Sequence, residues 1–275
     1  MVTVTVTKKR LLAALFFILA VILAVCGCIR GARAMQAAAV KRSLPIYGVK
    51  TEEKKIAVSF DAAWGNEETQ TLINILAKYN VKATFFVVGA WVDKYPDSTR
   101  ALAAAGHEVC NHSDTHPHMP KLSQQDMTKQ ITSCNEKIKA VTGVSPLLFR
   151  PPYGDYNNSL IDTVNGLKMY PIQWTVDSLD WKDPTPQQIE KNVISKVKAG
   201  SIILMHNGAK NTPQALPTIL QTLQSQGYQF VKISDLIYRD NYTIDTQGTQ
   251  ISNKAAAAPS SGAARPTQPS SGKGK

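Results

Sequence analysis

Three of the five histidines lie close together, in the run His112-Ser113-Asp114-Thr115-His116-Pro117-His118. Neutral imidazole is the commonest metal-ligating side chain, and two rings four residues apart on a turn can reach one divalent ion. We therefore read His112 and His116 as a metal pair, with His118 a bystander or an outer group. The plain alternative is a polar loop with incidental histidines. A second segment, Phe149-Arg150-Pro151-Pro152-Tyr153-Gly154, is rigid and aromatic. Its prolines fix φ and remove two amide donors, which leaves the Tyr153 amide free to donate. Arg150 can hold a carboxylate through a forked pair of hydrogen bonds. Asp177-Ser178-Leu179-Asp180-Trp181 adds two carboxylates and an aromatic ring, and Leu204-Met205-His206 ends a hydrophobic run. A lone histidine at such an end is more often structural, so His206 draws its interest from its companions.

The elements that must position these groups follow from hydrophobic patterning. Short β-rich runs are expected at 56–60, 84–88, 108–110, 147–149, 172–175, 201–205 and 229–233. Helical patterns fall between them, at 67–79, 97–105, 123–141, 186–198 and 213–226. Ser123 is suited to cap its helix, with Asp126 in the first turn, and Gly106 and Gly143 stand where helices should stop. Alternating strands and helices imply an α/β fold with a parallel sheet and helices outside it, and seven strands are enough to curl into a barrel. Asp61, His112, Arg150, Asp177 and His206 each follow one of these strands. Five polar side chains then issue from strand ends of one polarity, the rim on which α/β barrels build active sites.

Taken in order, these segments resemble the five motifs of the NodB-homology polysaccharide deacetylases, carbohydrate esterase family four, over roughly 54–238. The matching residues are Ser59-Phe60-Asp61, the His112 and His116 pair, Arg150-Pro151-Pro152-Tyr153, Asp177 with Asp180-Trp181, and Leu204 with His206. The resemblance implies a distorted (β/α) barrel and metal-dependent removal of acetyl groups from N-acetylated sugars. By that likeness Asp61 is the general base, Arg150 its ion-pair partner, and His206 the general acid, oriented and tuned by Asp177. His112 and His116 would ligate the metal, expected to be zinc, with cobalt or manganese as alternatives. Tyr153, Trp181 and Leu204 would line the acetyl and sugar pocket. One position departs from the family pattern. A second aspartate, the third protein ligand, normally follows the base, and here it is Ala62. The phrase Phe60-Asp61-Ala62-Ala63-Trp64-Gly65-Asn66 is closer to a branch associated with sporulation in Gram-positive bacteria. The remaining ligand would be water, Asp61 or a nearby group such as Asn66.

Peptidoglycan amino sugars are the expected substrate. Two other readings use the same residues: a carbohydrate-binding or sporulation protein that has lost turnover, supported by Ala62, and an O-acetyl polysaccharide esterase. The 275 residues carry a net charge of +11, which suits an anionic wall or a lipid surface. No recognition-helix pattern or basic–aromatic alternation points to nucleic acid. Lys8, Lys9 and Arg10 precede an apolar run at 11–25, the pattern of an export signal that can also span a bilayer. Residues 1–34 are thus expected to be a single-pass anchor in the cytoplasmic membrane with the domain outside. Secretion after cleavage near Ala32-Arg33-Ala34 is the alternative. Residues 35–53 read as a linker, 54–240 as the domain, and 254–275 as a disordered tail poor in apolar side chains. The chain is expected to act as a monomer. Cys110 and Cys134 are expected to be buried thiols rather than a disulfide.

Overall fold

The computed structural model describes residues 8–37 and 42–253. Two compact units divide at Arg42. The first contains one helix, α1 (Lys8–Ala37), which carries the apolar run. Among the described residues no helix is long and apolar enough to cross a membrane; within α1, side chains are described without a break only over 15–27. Residues 38–41 and 254–275, on which part of the expected linker and the whole expected tail fall, lie outside the described residues.

The second unit is an α/β fold. Its strands are β1 (Gly48–Val49), β2 (Lys55–Ala62), β3 (Thr84–Val87), β4 (Glu108–Asn111), β5 (Leu148–Phe149), β6 (Tyr170–Pro171), β7 (Val176–Asp177), β8 (Ile202–His206), β9 (Gln229–Phe230), β10 (Tyr242–Ile244) and β11 (Thr249–Ser252). Its helices are α2 (Thr69–Lys78), α3 (Gly89–Lys94), α4 (Pro96–Ala104), α5 (Gln124–Thr142), α6 (Asn158–Gly166), α7 (Pro186–Ile194), α8 (Thr212–Ser225) and α9 (Ile233–Leu236). The main sheet runs β6-β5-β4-β3-β2-β8-β7, with β9 paired to the start of β2. Every pairing in it is parallel. This is the expected distorted barrel, present as a curled half-barrel.

The seam of the curl lies where a strand was expected at 172–175. That stretch is not a strand; it joins β6 to β7, the two ends of the sheet order. The Ile172 amide donates to Phe149 O and the Thr175 amide to Ile202 O, so it crosses from the β5 side to the β8 side. The run expected at 229–233 is also shorter, because the chain turns into α9 at Ile233. The globular unit is larger than 54–240. Strand β1 lies in the expected linker, with Ile46 and Val49 buried, and pairs with β11 beyond residue 240.

Strand alternation sorts the side chains into layers. Ile56, Val58, Phe60 and Ala62 of β2 face the helix layer, where Leu72, Leu216 and Leu220 cover them. Ala57 faces inward onto Phe86, Leu148 and Ile202, an apolar plug that fills the barrel floor. Ser59 and Asp61, next along that inner face, lie above the plug. Ser123 caps α5 by accepting from the Asp126 amide, and Gly143 ends the helix in a left-handed turn (φ 78°), as expected. Cys110 and Cys134 are both free, buried thiols in different core clusters; burial pushes Cys134 up to about 12.

Candidate active site

Asp61, near the end of β2, is the centre of the rim. Its backbone is in register with Phe86 on β3 and His206 on β8, so two strand ends deliver a carboxylate and an imidazole side by side. Arg150, fully buried just after β5, donates from Nη1 to Asp61 Oδ1 at 2.7 Å and from Nη2 to Ser59 Oγ at 2.9 Å. Its guanidinium carbon lies 4.1 Å from the centre of the Phe86 ring, which adds a cation–π contact. Burial alone would push the Asp61 carboxyl up. The charges of Arg150, then His112 and His206, outweigh it and hold the carboxyl below the ordinary aspartate range. It is therefore ionised at neutral pH and able to accept a proton.

His112 follows β4, and its Nδ1 lies 2.8 Å from Arg150 O. A carbonyl can only accept, so Nδ1 carries the proton and Nε2 keeps its lone pair. That Nε2 faces Asp61 Oδ2 at 3.5 Å. The His116 ring meets His112 edge-on at 4.9 Å between centroids, at the end of a turn in which Ser113 and His116 both take positive φ. Burial, then the neighbouring His112, pushes His116 down to about 4, and burial lowers His112 as well. Both rings are neutral and suited to ligate a cation. Among the described residues, however, no group of three His, Cys, Asp or Glu side chains is placed to hold one ion. Ala62, at the position of the usual third ligand, is fully buried on the helix side of β2. The residues present fit a divalent ion as an imidazole pair: His112 and His116 would hold it, with Asp61 beside them.

His206 ends β8, and its partner is Asp180. Asp180 Oδ1 lies 2.7 Å from His206 Nδ1, and Oδ2 accepts from the His206 amide at 2.8 Å and from Thr212 Oγ1 at 2.7 Å. The expectation that Asp177 orients His206 is thus corrected. Asp177 Oδ1 accepts from the Leu179 amide at 2.8 Å, and that local turn (Leu179 φ 57°) swings Asp180 inward. Burial alone would lower His206. The Asp180 hydrogen bond and charge, with Asp61 and Asp177 further off, raise it instead. The site thus holds a carboxylate kept ionised beside an imidazole that favours its charged form, and environment drives the two groups apart.

Asp61, His112, His116, Asp177 and His206 line one cavity of about 440 Å3, together with Leu204, Tyr153, Trp64, Trp174 and Trp181, while Arg150 and Asp180 lie buried behind it. Tyr153 has φ 60° and stacks on His118 at 4.3 Å, and His118 also contacts Asp155 at 3.3 Å, outside the lining of the cavity. The motifs mark no role for Trp64, Trp174, Thr212 or Gln173, whose carbonyl accepts from Arg150 Nη2 at 3.3 Å and whose Nε2 donates to Gly154 O at 2.9 Å. Only Trp64 carried a signal, through its place just after the first motif. Asn66 does not line the cavity. A larger cavity, about 560 Å3, opens at the other end of the strands. Two of its polar groups serve the fold: Glu108 accepts from Thr84 Oγ1, and His107 Nδ1 accepts from the Ala83 amide, while the buried His107 Nε2 has no hydrogen-bond partner.

The model of the polysaccharide deacetylase family matches residues 48–172. The peptidoglycan-N-acetylglucosamine deacetylase PgdA of Listeria monocytogenes is 38% identical over 203 residues, 71% of this chain and 43% of that protein. The chain therefore spans about two fifths of PgdA's length. A peptidoglycan-N-acetylglucosamine deacetylase of Bacillus cereus is 32% identical over 196 residues, 70% of this chain and 92% of that protein. Among solved structures, BA3943 of Bacillus anthracis, described as a CE4 family pseudoenzyme, superposes with a TM-score of 0.68 at 36% identity, covering 71% of this chain and 69% of its own. A mutant of BA3943 with restored enzymatic activity superposes equally well.

Proposed function

Because the chain belongs to the polysaccharide deacetylase family, we propose that its globular domain hydrolyses the acetamide of a cell-wall amino sugar, with peptidoglycan as the polymer. The observation that carries this reading is the meeting of Asp61 and His206 across adjacent strands, each tied to a buried partner of opposite charge. Asp61, held ionised by Arg150, takes a proton from the attacking water. The amide of Tyr153 is the backbone donor we assign to the carbonyl oxygen as it gains negative charge. Protonated His206, supported by Asp180, donates to the departing nitrogen, without which the amine is a very poor leaving group. Leu204 and Trp174 give the acetyl methyl an apolar wall. A divalent ion, which we take to be zinc, would be held by His112 and His116; when bound it polarises the acetyl carbonyl and acidifies water. The test is acetate release from peptidoglycan and chitooligosaccharides, with and without added zinc, cobalt or manganese. Metal-stimulated acetate release is expected, and none from any of these polymers under any metal would sink the reading.

A second reading has its own support. Ala62 and the two-imidazole metal set favour slow or lost turnover with sugar binding retained, and the same assay separates the two. The segment 60–66 favours a role in sporulation. We further place the chain at the cytoplasmic membrane with its domain outside, acting as a monomer. In α1, Leu15, Phe16, Phe17, Ile18, Leu19, Ile22 and Leu23 are all more than half exposed, and large apolar side chains in that density need a nonaqueous partner. The sequence continues the run to about the twenty residues a bilayer core requires.

A further inference from the structure

Trp64 stands in the segment just after the first motif, where the family resemblance assigns it no role, yet it is built into the site. It lies two residues beyond β2 and lines the cavity with Asp61 and His206. Its ring centroid is 5.1 Å from that of His206, tilted by 34°. The loop that carries it is pinned. Trp91 Nε1 donates to Gly65 O at 2.7 Å, and Asn207 Nδ2 approaches the same oxygen at 3.4 Å. At Gly208 a Cβ would stand 2.4 Å from Trp64 O and 2.7 Å from Trp64 Nε1, so the absence of a side chain there is what lets the indole settle onto the His206–Gly208 turn. With this anchoring, Trp64 still leaves 45% of its surface in water. An indole fixed rigidly and left half exposed in a cavity is arranged for contact with a ligand, since burial would have lowered its free energy more.

Its neighbours along the rim suggest which ligand. Tyr153 and Trp181 are also exposed, at 61% and 52%, and both line the same cavity. Tyr153 follows β5, Trp64 follows β2 and Trp181 follows β7, so the sheet order places Trp64 between the other two. Three exposed aromatic side chains therefore stand at strand ends around one cavity, with Trp64 beside His206.

We propose that Trp64 is the specificity-determining platform for the sugar whose acetamide enters the cavity, stacking on the apolar face of that pyranose ring while Tyr153 and Trp181 meet the sugars on either side. This rests on the amino-sugar polymer as ligand class and does not require turnover. A flat ring face presenting C–H groups suits the electron-rich face of an indole.

The test is a titration of the full-length protein with N-acetylglucosamine tetramer and hexamer, followed by intrinsic fluorescence and calorimetry, for wild type, W64F, W64A and G208A. We expect W64A to weaken binding about tenfold, the scale of one lost aromatic contact. W64F should recover most of that affinity, and G208A, which displaces the indole without removing it, should also weaken binding. Where turnover is measurable, the loss should appear in KM more than in kcat, with the pH profile unmoved. Wild-type affinity in W64A and G208A, with both folded, would overturn the inference and leave the amino-sugar reading standing. Equal losses in W64F and W64A with a displaced alkaline limb would also overturn it, because Trp64 would then act through His206. Failure of wild type to bind either oligomer would remove this inference and the amino-sugar reading together.

Discussion

At the scale of single residues, the site works by opposing environments. Asp61 and His206 are in register on adjacent strands, yet Arg150 favours the anion on one while Asp180 favours the cation on the other. Asp61→Asn and His206→Ala should each cut acetate release by at least about a hundredfold, the usual scale for a lost base or acid. Near-normal turnover in either variant would reassign that role. The pH profile carries a second prediction. His206 must be protonated to donate, so activity falls as pH rises through its pKa, which lies above the ordinary imidazole range. Asp180→Asn removes the hydrogen-bonded anion, lowers that pKa and should move the alkaline limb to lower pH. Asp177→Asn should move it less, because its charge is the weakest of those raising His206. Equal displacement by the two variants would show that Asp180 is not the orienting partner. The acid limb, governed by Asp61, should stay below the ordinary carboxylate range.

At the scale of elements, strand β2 explains both the site and its deficiency. Its inner face supplies Ser59 and Asp61, and its outer face supplies Phe60 and Ala62 to the helix-covered core. A carboxylate at position 62 would start among apolar side chains, where an unpaired charge costs several kcal/mol, unless the strand end turns it toward a cation. Ala62 is the last residue of β2, where such a turn is least costly. Ala62→Asp should therefore lower Tm by roughly 5–10 °C in chelator and regain most of that loss when zinc is added. Scanning calorimetry with and without zinc checks this. A Tm indifferent to zinc would mean that position 62 does not reach the site. The other informative element is the seam at 170–177. Its composition reads as one strand because Ile172 and Thr175 suit a sheet, but its hydrogen bonds go first to β5 and then to β8. Local propensity cannot distinguish a strand from a segment that changes partners.

At the scale of the whole molecule, two units divide at Arg42, and they call for separate tests. For the first, residues 1–40 fused to an exported reporter should fractionate with membranes and resist alkaline extraction, as expected of a retained apolar helix. Soluble reporter beginning near Met35 would instead establish a cleaved signal. The second unit closes on itself through β1 and β11, short strands at 48–49 and 249–252 that pair in parallel although almost the whole domain separates them. Neither is legible in sequence, because each offers a single large apolar side chain, Val49 in β1 and Ile251 in β11, and so no apolar run or alternation to read.

The sequence by itself determined which polar residues gather at the strand ends and the polarity of the sheet. Asp61, His112, Arg150 and His206 announce themselves because polar groups at the ends of apolar runs are costly to bury without partners, and regular alternation of strand and helix leaves a parallel sheet as the economical solution. Tertiary structure alone decided which carboxylate serves His206. Asp177 and Asp180 are three residues apart and chemically identical, and the choice rests on the left-handed turn at Leu179 that commits Asp177 to a backbone amide and turns Asp180 into the core. It likewise decided that Trp64 stands over His206, since that contact depends on a glycine at 208, far along the chain, leaving room for the indole. Interactions between neighbours in sequence can be read from residue type; interactions between distant segments exist only once the sheet has brought them into register.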